Sequence, residues 1–304
     1  MTNKQFTYQT YLPVEQRYLP FITFDGKTHL TIGKYIQNND NKGVNEMFVE
    51  MISDCCKSEI DVSTLTNVDL FCILLNMRIM SVSQTFDFES VVETSHEKVK
   101  KTLKLDLYDI LDKVTNHNLG YITNIPITDN YSIDVGAPPG FETNDFDTLV
   151  VKLLKTIHIN GEIYDLCDMS VDEKVKILDE LPGTALNTII SHITSVDHQY
   201  RIRVFESVND DNLSNIELKL FDNSMLEFIK AMFNCNLQEQ YYIRYIMVKR
   251  LGFLLSDIDE ITPIDTQNYI NLYKEELEEE KKAQEKSSGQ SKSSMTLPNA
   301  GQEQ

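Results

Sequence analysis

"CCKSEIDVSTLTNVDLFCILLNMRIMSVS", residues 55–83, decides how this chain is read. It holds three of the five cysteines and the most apolar helical segment in the sequence. Thr66 with Asp69 three residues on forms an N-cap followed by an acidic first turn. Both open the predicted helix "NVDLFCILLNMRIM". That helix is apolar on nearly every side between Leu70 and Leu75, so it is expected to be buried. Immediately upstream, "VNEMFVEMISDCCKS" places Val44, Met47, Phe48, Met51, Ile52 and Cys55 at i, i+3, i+4, i+7, i+8 and i+11. This is the stripe of an amphipathic helix packed on a core.

Working outward, the first residues read as an extended arm. Two Leu-Pro steps, Leu12-Pro13 and Leu19-Pro20, hold residues 1–20 out of helix and lay them along a surface. Asp25-Gly26 then turns into a first helix, "KTHLTIGKYIQNND". Beyond residue 82 the period changes from helix to strand. "QTFDFESVVE", "KKTLKLDLYD" and "YSIDVGAPPGF" alternate apolar and polar residues, and Pro138-Pro139-Gly140 stops the last of them.

Residues 144–196 return to helix with "DFDTLVVKLLKTI", the capped "EKVKILDEL" (Ser170 and Glu173) and "TALNTIISHIT". Within them Asn160-Gly161 signals a hairpin. "QYRIRVFESV" and "NIELKLFDN" read as two paired strands, and Ser224 with Glu227 reads as a capping box for "MLEFIKAMFN". Thr262-Pro263 opens a Glu/Lys-rich helix, and from Ser287 the composition is that of a disordered tail. The fold class is therefore α+β and mainly helical, with a small β module after the N-terminal helices and a second short β region before the C-terminal ones. The expected organisation is an arm and helical unit at 1–82, a β-containing module at 83–141, a helix-rich region with a hairpin at 142–286, and a tail at 287–304.

Composition narrows function mainly by exclusion. The net charge of −19 repels phosphate backbones and anionic lipid, so nucleic-acid and membrane partners are not expected. The polar start "MTNKQFTYQTYLPVEQRYLPF" lacks the apolar core of a signal peptide, and no segment reaches the roughly 20 apolar residues that span a bilayer. An odd number of cysteines without paired spacing fits a reducing compartment.

Chemistry-bearing patterns are weak. Zinc ligands come as pairs a few residues apart, whereas Cys55 and Cys56 are adjacent and point about 100° apart on a helix. Cys72, His29 and His96 would have to be brought to them by the fold. Small buried cysteines are the stronger reading. Cys167 and Cys235 each need a positioned base to act as nucleophiles, and the six histidines are scattered at 29, 96, 117, 158, 192 and 198. "DGKTH" and "GKYIQ" lack a phosphate-loop context, and the prolines of "VGAPPG" remove the donors that would cradle a phosphate.

The helix "YYIRYIMVKRL" carries Tyr241, Tyr242, Tyr245, Arg244, Lys249 and Arg250, a set able to stack on bases. On so acidic a chain it reads instead as a protein-facing surface or a core stripe with charged edges. Glu278 with Lys281 and Lys282 supports an exposed helix. No catalytic, cofactor-binding or metal-ligating residue is named, and neither a cofactor nor a small-molecule substrate is implied.

Three stretches together resemble one family. "MFVEMISDCCKSEIDVSTLTNVDLFCILLNMRIMSVS" is similar to the N-terminal signature of baseplate hub subunits and hub assembly proteins of T-even-type contractile-tailed bacteriophages. The matching positions are Cys55 or Cys56, Ile60, Asp61, Leu65, Thr66, Asp69, Arg78 and Ser81. "EKVKILDELP" is similar to their mid-chain helix, and "RYIMVKRLGFLLSDIDEITPIDTQNYINLYKEELEEEKK" to their C-terminal part.

The resemblance implies a non-enzymatic structural subunit of the tail baseplate hub, made in the host cytoplasm and carried in the virion. Its partners would be other phage baseplate and tail hub proteins. The alternative it leaves open is a hub assembly factor absent from the particle. A third reading, from residues alone, is a small metal or thiol module using Cys55, Cys56 or Cys167.

Overall fold

A computed structural model describes residues 6–56, 60–93, 98–116, 122–140, 146–181, 183–195, 201–205, 216–219 and 224–290. The chain begins with a hairpin of β1 (Tyr8–Leu12) and β2 (Arg17–Phe21), then α1 (Gly26–Gln37), α2 (Asn41–Cys55), a 3-10 turn at Val62–Thr64 and α3 (Asn67–Ser81). A second hairpin of β3 (Thr85–Glu93) and β4 (Lys98–Asp106) runs directly into α4 (Leu107–Asn116). Next come β5 (Ile122–Thr128), β6 (Tyr131–Val135), α5 (Phe146–Leu153), β7 (Leu154–Ile159), β8 (Glu162–Asp165), α6 (Val171–Asp179) and α7 (Gly183–Ser195). The pair β9 (Arg201–Phe205) and β10 (Ile216–Lys219) precedes α8 (Ser224–Phe233), α9 (Leu237–Arg250), α10 (Leu255–Glu260) and α11 (Pro263–Gln290). The class is α+β, mainly helical with small antiparallel sheets.

The centre of the molecule is α3, and its composition explains why. A helix apolar on all sides has no face to turn to water, so other elements must surround it. Fourteen of its fifteen residues are buried. Several of its polar groups anchor a neighbouring element. Thr66 caps the helix by accepting from Asp69 N–H, and the Asp69 carboxylate accepts from Val14 N–H at 3.0 Å.

Further along, Asn76 Nδ2 donates to Thr10 Oγ1 at 2.8 Å, tying β1 to the helix. Arg78 Nε donates to the Met232 carbonyl at 2.9 Å, and Ser81 Oγ accepts from Phe24 N–H at 3.1 Å. Orphaning a buried polar group costs about 1–3 kcal/mol, so these bonds fix which element lies against which turn of α3.

Around α3 a single apolar cluster gathers Leu12 and Leu19 of the first hairpin, the α2 stripe, α4, β9–β10 and α8. Aromatic rings close it. Phe228 of α8 meets Phe71, Phe86 and Phe88 at 6.1, 6.0 and 5.7 Å, and Phe233 meets Phe24 and Phe48 at 5.8 and 5.2 Å. A second cluster lies under the four-stranded sheet β5-β6-β7-β8, where Ile125, Ile133, Ile157 and Ile189 pack together. A third holds α9, α10 and α11 through Ile243, Met247, Ile258 and Ile270.

Several sequence expectations are met. The α2 stripe is buried at Val44, Phe48, Met51, Ile52 and Cys55. The Ser170–Glu173 capping box forms, and Asn160 and Gly161 take positive φ (53° and 88°) at the β7–β8 turn.

Others are corrected. Residues 8–21 are a hairpin, not an arm lying along a surface: alternation sends Leu12 and Leu19 into the core, and Pro20 sits in an edge strand, where proline is tolerated. The strand expected over "KKTLKLDLYD" ends at Asp106, whose carboxylate accepts from Tyr108 N–H at 2.9 Å and so helps start α4, a helix the sequence reading missed. The helix expected over "DFDTLVVKLLKTI" stops at Leu153 because Leu154–Ile159 pairs with β6. Ser224 is the first residue of α8 itself, with its hydroxyl accepting from Lys219 N–H at 2.7 Å, rather than the cap before it. Finally, α11 runs on to Gln290, while residues 291–304 lie outside the described residues.

Candidate functional site

The clearest exposed chemistry lies on α9. Asn236 starts this helix by accepting from Glu239 N–H at 3.2 Å. Gly252, at φ +77°, ends it and lets Phe253 N–H return to the Met247 carbonyl at 3.1 Å. Ile243 and Met247 pin one side of the helix against Ile258 and Ile270.

With about 100° between successive residues, Val248, Tyr241, Tyr245, Lys249 and Tyr242 fall on one arc of about 120° facing away from that contact. The three tyrosines are 50%, 59% and 62% exposed at Tyr241, Tyr245 and Tyr242. No acidic residue lies on the arc; Glu239, the one acid of α9, points about 60° beyond it. From α1, the Lys34 ammonium stands over the Tyr241 ring at 5.9 Å.

Of the six aromatic and basic residues picked out from the sequence, Tyr241, Tyr242, Tyr245 and Lys249 share this surface. Arg244 does not, because its guanidinium pairs with Asp259 of α10. Burial lowers its pKa. Arg250 sits at the end of the helix on another side. Lys34, from the opposite end of the chain, is the member that sequence reading missed. Nothing local to "GKYIQ" marks it.

Further along, α11 leaves the body. Ile270 is its last fully buried residue, and residues 274–286 are exposed except for half-buried Leu277. Glu278, Lys281 and Lys282 lie on that exposed stretch. A separate apolar groove of about 380 Å³ lies between α2 and the start of α3, lined by Phe48, Val49, Ile52, Val62 and Leu70.

The thiols have a consistent character. Cys55, Cys56, Cys72 and Cys235 are buried, and only Cys167 is exposed. Burial first, then the neighbouring Cys56 sulfur, pushes the Cys55 thiol up to about 12, and burial pushes Cys56 up to about 11. Burial raises Cys72 and Cys235 as well. Partial burial and then the hydrogen bond and charge of Asp165 raise exposed Cys167. A nucleophilic or metal-binding cysteine needs the opposite shift. His29 packs on Phe24 in the field of Arg78 of α3, and His96 lies outside the described residues. Among the described residues no cluster of three or more His, Cys, Asp or Glu side chains is placed to hold a metal ion.

One polar constellation had no sequence signal. His158 Nε2 lies 2.9 Å from Asp134 Oδ2, and the Thr156 hydroxyl donates to the same oxygen. Thr156 Oγ1 also lies 3.3 Å from the same Nε2, so hydroxyl, imidazole and carboxylate meet at one nitrogen and one oxygen instead of forming a chain through both ring nitrogens. The group stitches β6 to β7. Among the described residues no helix is long and apolar enough to cross a membrane.

A family model described as T4 bacteriophage base plate protein matches residues 4–207, more than half of the 304-residue chain. No curated protein and no solved structure matches it.

Proposed function

Because this chain belongs to the T4 bacteriophage base plate protein family, we propose that it is a structural subunit of the baseplate hub, built into the tail through contacts with other hub and tail proteins. The observation that supports this reading is the exposed face of α9. Its tyrosines and Val248 are left uncovered. Exposed aromatic rings with a basic rim are the composition of protein-binding surfaces. The face also lies beyond the span matched by the family model, which ends at residue 207. The folded body draws on both sides of that limit, since α8 closes the core around α3, and α9 presents its outward arc from that body.

In this role the protein performs no catalysis. α3 and the elements anchored to it form a rigid support, and α9 with the projecting half of α11 presents the docking surfaces. Quantitative mass spectrometry of purified particles and of infected-cell lysate tests the assignment. Peptides present in particles at a fixed small ratio to other tail proteins are the expected result. Peptides found in lysate alone would replace the hub subunit with an assembly factor that leaves before the particle is complete.

A further inference from the structure

The outward arc of α9 runs against the charge of the whole molecule, the acids Asp257, Asp259 and Glu260 belonging to α10, which packs beside α9 and α1. The chain carries −19, yet α9 holds Arg244, Lys249 and Arg250 against one acid, Glu239. Beside it, α1 holds Lys27 and Lys34 and no acid. Both lysines are exposed, and seven residues apart they lie on one side of α1. Lys34 is fixed to the surface by its contact with Tyr241, 5.9 Å from the ring centroid. Arg244 is spent on Asp259 and Arg250 lies on another side of the helix, so the cations of this face are Lys249 and Lys34, with Lys27 further along α1. Between and beside them stand Tyr241, Tyr245, Tyr242 and Val248.

We infer that the α1–α9 face docks an acidic, apolar-bearing segment of a different protein. The inference rests on the reading of this chain as a docking subunit and names the partner chemistry of its main surface. The physical argument is complementarity. Tyrosine rings offer large contact area with little side-chain entropy to lose, and a phenol at each tip remains able to hydrogen-bond. A partner segment with Leu, Ile or Phe between Asp and Glu satisfies rings and ammonium groups together.

A second copy of this chain fits poorly. Two faces of like sign would meet, on molecules that already repel each other by their net charge. Nucleic acid is also disfavoured, because its phosphates must approach a molecule of charge −19 through a small cationic window.

Replacing Tyr245 by photoreactive p-benzoyl-phenylalanine, in the full chain expressed during infection, tests this directly. After irradiation the crosslinked peptide is identified by mass spectrometry, with a matched experiment at Tyr242. The expected product is a single partner segment of net negative charge with interleaved apolar residues. Its yield should fall at least ten-fold in a Lys34→Glu/Lys249→Glu chain whose circular dichroism is unchanged. A ten-fold fall as salt rises from 50 to 500 mM provides the same readout without altering the protein.

A crosslink to nucleic acid, to a basic segment or to a second copy would overturn the inference. So would a yield indifferent to charge reversal and salt, or no crosslink from either position. Failure of the hub assignment is distinguishable: a protein absent from particles whose Tyr245 still crosslinks an acidic segment in lysate is an assembly factor docking by this same face.

Discussion

Acid should weaken this fold through one histidine. His29, on α1, is 6% exposed and packs 6.0 Å from the Phe24 ring, in the field of the buried Arg78 guanidinium. Burial, and then the Arg78 charge, lower its pKa from 6.5 to about 4. The unfolded chain therefore binds a proton near pH 6.5, whereas the folded chain stays neutral until about pH 4. Between those values the unfolded state holds more protons, so stability is complete above about 6.5 and is lost as the pH falls toward 4. At about 1.36 kcal/mol per pKa unit, the full loss is about 3 kcal/mol.

Between pH 7.5 and 5.5, both above the isoelectric point near 4.7, the share of that loss is about 1 kcal/mol. Urea denaturation followed by far-UV circular dichroism measures it in the natural chain and in His29→Leu, which carries no titrating group at that position. The natural chain should lose about 1 kcal/mol more than the variant over this interval. The raised pKa of Asp69, whose burial dominates its hydrogen bonds, acts in the opposite direction but is common to both proteins and cancels. Equal losses in the two proteins would show that His29 titrates normally and that its site admits water.

Other consequences of the packing are as direct. A Cβ on Gly33 would lie 2.4 Å from Cys235 Sγ, so Gly33→Ala should cost about 1–3 kcal/mol. Adding Cys235→Ala should recover much of that cost, and additive losses in a double-mutant cycle would refute the contact. A thiol reagent at neutral pH should modify one cysteine rapidly in the native protein, Cys167, and all five after denaturation. Rapid native loss of a second thiol would contradict the burial of the Cys55–Cys56 pair. Deleting residues 275–304 removes the exposed part of α11 and should leave the melting temperature within about 2 °C, since little core goes with it. A large drop would show that this half of α11 packs on the body.

The parts of the fold legible in the sequence are those governed by neighbours along the chain. The α2 stripe, the Thr66 cap, the Ser170–Glu173 box and the Asn160-Gly161 turn depend on residues within one helical turn or one hairpin. Where two local patterns compete, the sequence misled. Leu103, Leu105 and Leu107 alternate as a strand, yet Leu107, Ile110 and Val114 also make a helical stripe, and the cluster around α3 selects the helix from Leu107 onward. "LVVKLLKTI" has helical spacing throughout, but a free strand edge on β6 takes its second half. Leu12 and Leu19 looked like surface residues beside prolines until a partner strand gave each an inner face.

By itself, then, the sequence determined the class, the buried central helix, the acidic character and the baseplate resemblance, because periodicity, capping and composition are properties of short windows. The tertiary structure alone decided which side of α9 meets solvent, that Arg244 is withdrawn into a pair with Asp259, and that Lys34 stands over Tyr241. Those facts depend on α1 lying against α9, a juxtaposition that packing creates between opposite ends of the chain and that no local pattern encodes.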